Sequence, residues 1–396
     1  MDENSTQIIK RYFKEYYFRF GARIKSPSEI ESREFGYLPF GGMMVRHLSF
    51  KDIGALHALL LKEAPAGVYC SNSTYEDPTA EMYRKNWKKA ALIFDIDADA
   101  LKQPCKKVHD VWLCKECGRK EFGLRPEFCP SCKSNRLLEL SWACPMCLEA
   151  AKKETNRLIE FLEFDFGIES SEIKVYFSGN AGYHISVEKS SYDTLDTRGR
   201  AEIADYLTAR GLSSKILSSQ KFLPTDAGWR RRIAKYIRNL PEIDKSFKSS
   251  QYEDRLFELS KFSKKEVETF MNRLIAENSV RIDAMVTTDV HRIFRMPETL
   301  NNKTGLVKRE CGKELANFDP LREAIAVQDG EQRSRIFVDM CPKIELGGEP
   351  YGPYRSETRD LPLYVGVYIV SKGGGKFLSE QSNVPSQKEI VSNNRA

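Results

Sequence analysis

Two carboxylates one residue apart close an apolar run, Ala90-Ala91-Leu92-Ile93-Phe94-Asp95-Ile96-Asp97. On a strand, side chains alternate, so Asp95 and Asp97 share a face while Ile96 turns away. At roughly 3.3 Å per residue their stems stand about 6–7 Å apart. From there two side chains can converge on hard divalent cations, which take oxygen ligands, as two-metal phosphoryl transfer requires. The same pattern also arises at strand ends, turns and caps, where aspartate bonds nearby backbone. The pair therefore needs companions before it carries a function.

A second chemistry lies just downstream. Cys105, His109 and three Cys-x-x-Cys pairs, Cys114/Cys117, Cys129/Cys132 and Cys144/Cys147, offer seven thiolates and one imidazole. Eight ligands fill two tetrahedral Zn²⁺ sites and leave no open position for water, so the zinc is structural. In one pairing, the two inner pairs form a compact ribbon and Cys105, His109, Cys144 and Cys147 close its stalk. In the other, the ligands are taken in sequence order. Cys70, Cys311 and Cys341 stand alone and read as packing residues.

Further polar groups could meet a phosphate. Ser178-Gly179-x-x-Gly182-x-His184 lies between two expected strands, where glycines allow close backbone approach and Ser178 and His184 can contact oxygens. Taken alone, the segment reads more readily as a plain hairpin turn with His184 as a strand residue. Asp283, between Ile282 and Ala284, reads as a third carboxylate on a strand, with Asp289 as a helix cap. Arg292, Arg295 and Lys303 follow, the last two suited to a triphosphate or to a solvated hairpin.

The elements that must position these groups follow from periodicity. Ile8 to Phe20 reads as an aromatic-rich helix with Lys10, Arg11 and Lys14 on its polar side. A hairpin spans Arg33 to Phe50 around Gly41-Gly42 and carries Arg46 and His47. The Asp95 strand is followed by the cysteine block, a helix over Glu149 to Phe164, and strands at Ile173–Phe177 and Tyr183–Val187. Residues 190–278 turn helical and charged, with Trp229-Arg230-Arg231-Arg232. Strand character returns at Val280–Val286 and Leu361–Val370, and the tail beyond about Glu380 is polar.

Composition sets the bounds. The 396 residues are 41% hydrophobic and 30% charged, with net charge +6 from 62 basic and 56 acidic side chains. That excess permits nucleic-acid binding without requiring it. No apolar run nears the ~20 residues of a membrane span. The first residues lack a signal-peptide pattern, and clustered cysteines favour metal over disulfides. An intracellular protein is expected, cytoplasmic if archaeal, with no membrane partner.

The ordered set Arg33-Glu34-Phe35, Asp95-x-Asp97, Cys144-Pro145-x-Cys147, Ser178-Gly179-x-x-Gly182-x-His184, Asp283-x-x-Val286-Thr287, Arg295-x-Pro297 and Lys303-Thr304-Gly305 resembles the catalytic small subunit of archaeal and eukaryotic DNA primases, over about residues 10–310. The resemblance implies an α/β (α+β) primase fold, with mixed sheets forming an open catalytic cleft. Core segments 1–103, 149–189 and 279–375 would be interrupted by a zinc-binding insertion at 104–148 and a helical subdomain at 190–278, before a tail at 376–396. It implies catalytic Asp95, Asp97 and Asp283 holding Mg²⁺ or Mn²⁺, and nucleotide contacts from Arg46, Ser178, Gly179, His184, Arg295 and Lys303. It also favours the nested zinc pairing: Cys105, His109, Cys144 and Cys147 on one ion, Cys114, Cys117, Cys129 and Cys132 on the other. The implied activity is synthesis of short primers on single-stranded DNA from NTPs or dNTPs, with a primase large subunit as partner. A primer-extending repair or primase-polymerase enzyme of the same superfamily, or a non-catalytic zinc-ribbon nucleic-acid binder, are the rival readings. Members of that family often carry arginine where this chain has Asn180 and Ala181, and histidine where it has Asn301. Either nucleotide affinity is lower here, or another basic residue compensates.

Overall fold

The structure, a computed structural model, describes residues 1–214, 217, 223, 225–239, 263–312, 314–328 and 332–378. These residues form a mixed α/β architecture of several small antiparallel sheets packed with helices. The sheet that matters most runs Arg309–Glu310, Ile173–Phe177, Gly182–Val187, Leu92–Asp97. Its register sets His184 opposite Asp95, Gly182 opposite Asp97 and Tyr176 opposite His184. Strand alternation then gives two unlike faces. Phe94, Ile96, Tyr183, Ile185 and Phe177 are buried in the main core with Leu148, Ala151, Leu158, Phe161 and Leu162 of the helix Pro145–Phe164. Asp95, Asp97, His184, Ser186 and Tyr176 lie on the opposite face.

That face looks toward a second sheet, ordered Ile293–Arg295, Gly67–Ser71, Phe35–Leu38, Val45–Leu48. A cleft of about 1080 Å³ lies between them, lined by His184, Ser186 and Tyr176 on one side and Cys70, Phe294 and Arg295 on the other. The N-terminal helix, Glu3–Phe20, closes the core from behind with buried Tyr12, Phe13, Tyr16 and Tyr17, while Lys10, Arg11 and Lys14 are exposed.

The cysteine block folds around a three-stranded sheet, Lys120–Phe122, Val111–Cys114, Leu137–Leu140. It has its own small core of Trp112, Cys114, Cys129 and Leu137. Within 190–278 the described elements are helices Thr197–Thr208, Gly228–Asn239 and Lys264–Asn278. Trp229 packs on Phe161 at 5.4 Å between ring centroids, and Arg232 pairs with Asp165 at 2.8 Å. Cys311 and Cys341 are buried and Cys70 is half-buried. No helix among the described residues is long and apolar enough to cross a membrane.

Three expectations change. Val280–Val286 is not a strand: an extended lead ends in the helix Ala284–Thr288, and Asp283 is its N-cap, accepting from the Met285 amide at 3.0 Å. Asp289 does cap a helix, but at the C-terminal end of this one, its amide donating to the Met285 carbonyl and its carboxylate accepting from the His291 amide. The N-capping preference of aspartate is met at Asp283. Leu361–Val370 is strand only to Pro362; Leu363–Ser371 is a helix buried from Tyr364 to Val370. A continuous apolar run suits a buried helix and a buried strand alike. The short strand Gly375–Phe377 then completes a sheet with Arg333–Cys341 and Tyr354–Pro362, and the polar stretch expected beyond Glu380 lies outside the described residues.

Candidate active site

The aspartate strand turns its two carboxylates to the face that carries His184, as alternation requires, and the third acid arrives from a distant segment. The Asp283 amide donates to the Asp95 carbonyl at 3.1 Å, so the cap of the short helix is tied by backbone to the strand. Burial, then the charges of Asp97 and Asp283, pushes the Asp95 carboxyl up to about 7. Asp97 is also raised, by burial and by Asp99, although its carboxylate accepts from the Asp99 amide at 2.9 Å. Like charges close together disfavour ionisation, and that repulsion adds to burial at Asp95.

His184 stands beside them, its Nε2 3.5 Å from Asp95. Burial, with Lys308, Arg295 and Arg292 nearby, holds it well below the usual histidine range, so it is neutral. Its Nδ1 is buried without a partner. Phe294 meets its ring edge-to-face at 6.0 Å between centroids.

The glycine loop and the Lys303 turn dock against each other. Ser178 and Gly182 close the loop by backbone at 2.9 Å, and the Asn180 amide reaches the Ser178 hydroxyl at 3.3 Å. Asn301 donates from its side chain to the Ser178 carbonyl, and Thr304 donates to that of Gly179. Gly179 has a left-handed φ of +79°, and a Cβ there would sit 3.0 Å from Asn301. At Gly182 a Cβ would meet the Ile96 carbonyl oxygen at 2.2 Å and the Asp97 Cα at 2.9 Å. Glycine is therefore required where the loop strand presses on the aspartate strand. Lys303 is exposed.

The two arginines are more constrained than their sequence context suggests. Arg295 donates to Leu300 at 2.5 Å and to Tyr69 and Asn302 at 3.1 and 3.2 Å, and lies 5.1 Å from the Tyr69 ring centroid. Arg46 grips Glu34 through two nitrogens at 3.0 and 3.2 Å. Glu34 is fully buried and also pairs with the buried Lys85 at 3.0 Å. This triad accounts for the glutamate of Arg33-Glu34-Phe35; Arg33 itself donates to the Ser28 and Ser71 carbonyls.

Two lysines went unread in the sequence. Lys308 is buried in the cleft, donating to the Arg295 carbonyl at 2.8 Å beside the Tyr176 ring; burial and Arg295 pull its ammonium down to about 7. Lys372, just past the Leu363–Ser371 helix, donates to the Ser141 carbonyl at 2.9 Å and to Asn180 Oδ1 at 2.7 Å. Lys308 could have been sought five residues after Lys303. Lys372 carries no local signal at all.

The cysteine ligands gather as Cys105, His109, Cys144, Cys147 and as Cys114, Cys117, Cys129, Cys132, ligand atoms within 4.8 Å of one another in each group. This is the nested grouping. Sulfur separations of 3.4–3.6 Å approach the ~3.8 Å edge of a tetrahedron with 2.3 Å Zn–S bonds. Hydrogen bonds from Cys147 and His109 hold the Cys144 thiol far below the thiol range. Asp110 receives His109 Nδ1 at 2.9 Å, leaving Nε2 to face the thiols, as a metal-bound histidine is ordinarily oriented. Both groups fit a tetrahedral soft-ligand cation.

The chain is similar to known proteins over most of its length. The family model described as DNA primase small subunit matches residues 140–312. The DNA primase small subunit PriS of Nitrosopumilus maritimus is 35% identical over 384 residues, covering 94% of this chain and 98% of that protein. PriS of Cenarchaeum symbiosum is 36% identical over 388 residues, covering 94% and 99%. Among solved structures, the polymerase domain of Mycobacterium tuberculosis ligase D in complex with DNA is 11% identical with a TM-score of 0.36, covering 78% of this chain and 83% of that one.

Proposed function

Because the chain belongs to the DNA primase small-subunit family, we propose that it builds short primers on single-stranded DNA by nucleotidyl transfer from nucleoside triphosphates, with Asp95, Asp97 and Asp283 as its metal platform. The observation that carries this is the carboxylate cluster, in which Asp95 is lifted to about 7 by burial and by its two acidic neighbours. A pair of Mg²⁺ or Mn²⁺ ions bound there would activate the primer 3′-hydroxyl and neutralise charge on the departing pyrophosphate.

The chain's own residues supply position and electrostatics. Asp95 and Asp97 present oxygens from one rigid face, and the Asp283–Asp95 backbone bond keeps the third carboxylate in register. Neutral His184 orients Asp95 and offers its ring to a phosphate oxygen. Ser178, the Gly179 backbone and exposed Lys303 line the triphosphate side. Arg46 and Arg295, locked by Glu34 and by Tyr69 and Asn302, contribute fixed positive charge without reorganising on binding. No side-chain nucleophile is needed. Both cysteine groups would hold Zn²⁺ in a structural role. On this reading residues 104–148 and 190–278 are insertions into a core made of 1–103, 149–189 and 279–375. The template, NTPs or dNTPs, and a primase large subunit are the partners.

The test is primer synthesis on unprimed single-stranded DNA, with and without the large subunit. Asp95→Ala and Asp283→Ala should each abolish it while zinc content stays the same. Near-normal synthesis by either variant would overturn the reading.

A further inference from the structure

The triphosphate side of the cleft lacks fixed positive charge on its own loop, since Asn180 and Ala181 carry none. Asn180 instead accepts a hydrogen bond from Lys372 at 2.7 Å, and a second donor of the same ammonium goes to the Ser141 carbonyl at 2.9 Å. An ammonium has three donors, so one remains. Two anchors from different segments, the glycine loop and the stalk of the cysteine block, fix the ammonium without neutralising it, because neither anchor is charged. The charges that act on it are those of Asp99, Lys303, Asp97 and Asp110. Among the described residues it forms no ion pair. Its half-buried site and Lys303 pull the ammonium down to about 8, a cost that an arriving anion would relieve.

We propose that Lys372 is a contact for the triphosphate of the incoming nucleotide, held in place by Asn180 and Ser141. This rests on the nucleotidyl-transfer reading of the cleft and extends it to a residue far along the chain. A charge-assisted hydrogen bond of this kind is worth roughly tenfold in affinity or more.

The measurement is equilibrium binding of a nucleoside triphosphate and of the corresponding nucleoside, with steady-state KM and kcat for primer extension, using the full chain. Lys372→Met should weaken triphosphate binding and raise KM about tenfold, leave nucleoside binding unchanged and alter kcat little, while Lys372→Arg keeps most of the affinity. Asn180→Leu, which frees the ammonium without removing it, should give an intermediate loss and serves if Lys372→Met folds poorly. Triphosphate affinity within twofold of the parent in Lys372→Met, or in Asn180→Leu when that alone folds, overturns the proposal. Asp95→Ala, assayed alongside, reports on the underlying reading: if it still makes primers, that reading fails, whatever Lys372 does.

Discussion

Asp95 is both buried and crowded by two other acids, and the consequences can be measured without substrate. Its carboxyl sits near 7 in the folded chain against about 3.9 when unfolded. Between those values the folded state holds a proton that the unfolded state has released. Stability of the metal-free protein is therefore highest below about pH 4 as far as this group is concerned, and declines as pH rises toward 7. Above 7 the ionised cluster is fully strained, and Mg²⁺ or Mn²⁺ should stabilise most there. Thermal melts with and without divalent metal across pH 5–8 should show the gap widening with pH. Asp95→Asn should flatten both the decline and the metal response. A metal effect independent of pH in the parent protein would contradict this account.

At the scale of elements, Gly182 and the two cysteine groups make distinct demands. A methyl group at Gly182 would collide with backbone, the Ile96 oxygen and the Asp97 Cα, and backbone cannot swing aside as a side chain can. Gly182→Ala should cost about 1–3 kcal/mol by denaturant titration, and weaken divalent-metal binding because Asp97 moves with its strand. The cysteine groups should separate in their effects. Cys105 and Cys147 belong to the main core, whereas Cys114 and Cys129 belong to the small ribbon core. Cys117→Ser should lower zinc from two ions to one per chain with little change in the main unfolding transition. Cys147→Ser should lower zinc equally but destabilise the whole chain. One zinc ion or none in the parent protein would refute the two-site arrangement.

Across the whole molecule, the site depends on a helix that carries none of its residues. Arg200, fully buried in the helix Thr197–Thr208, donates to the carbonyls of Ala90, Ala91 and Leu195. It staples that helix to the start of the aspartate strand. The same helix packs against the Ala284–Thr288 helix that Asp283 caps, so both sources of carboxylate share one support. Arg200→Ala removes these hydrogen bonds, although the Ala91 carbonyl keeps Asn72 as a donor, at about 1–3 kcal/mol for a buried carbonyl left unpaired. It should lower the unfolding free energy and weaken divalent-metal binding together, while Arg232→Ala at the outer helix pair should affect stability alone. Unchanged metal binding in Arg200→Ala would show that the platform is held by its own sheet.

The sequence alone determined what depends on local backbone geometry. Period-two alternation put Asp95 and Asp97 on one face, Cys-x-x-Cys spacing provided chelating pairs, and Ser178-Gly179 to Gly182 between apolar runs announced a tight loop. It misread Asp283 as a strand residue, because an aspartate beside apolar neighbours fits an alternating strand and a helix N-cap equally well. Tertiary structure alone decided which cysteine pairs meet, that Arg46 is held by a buried glutamate, and that Lys372 reaches Asn180. Those outcomes rest on contacts between segments far apart in the chain, and no spacing rule encodes them. Asp95 and Asp97 could be found by reading along their strand; the places of Lys308 and Lys372 appear only once the chain has folded.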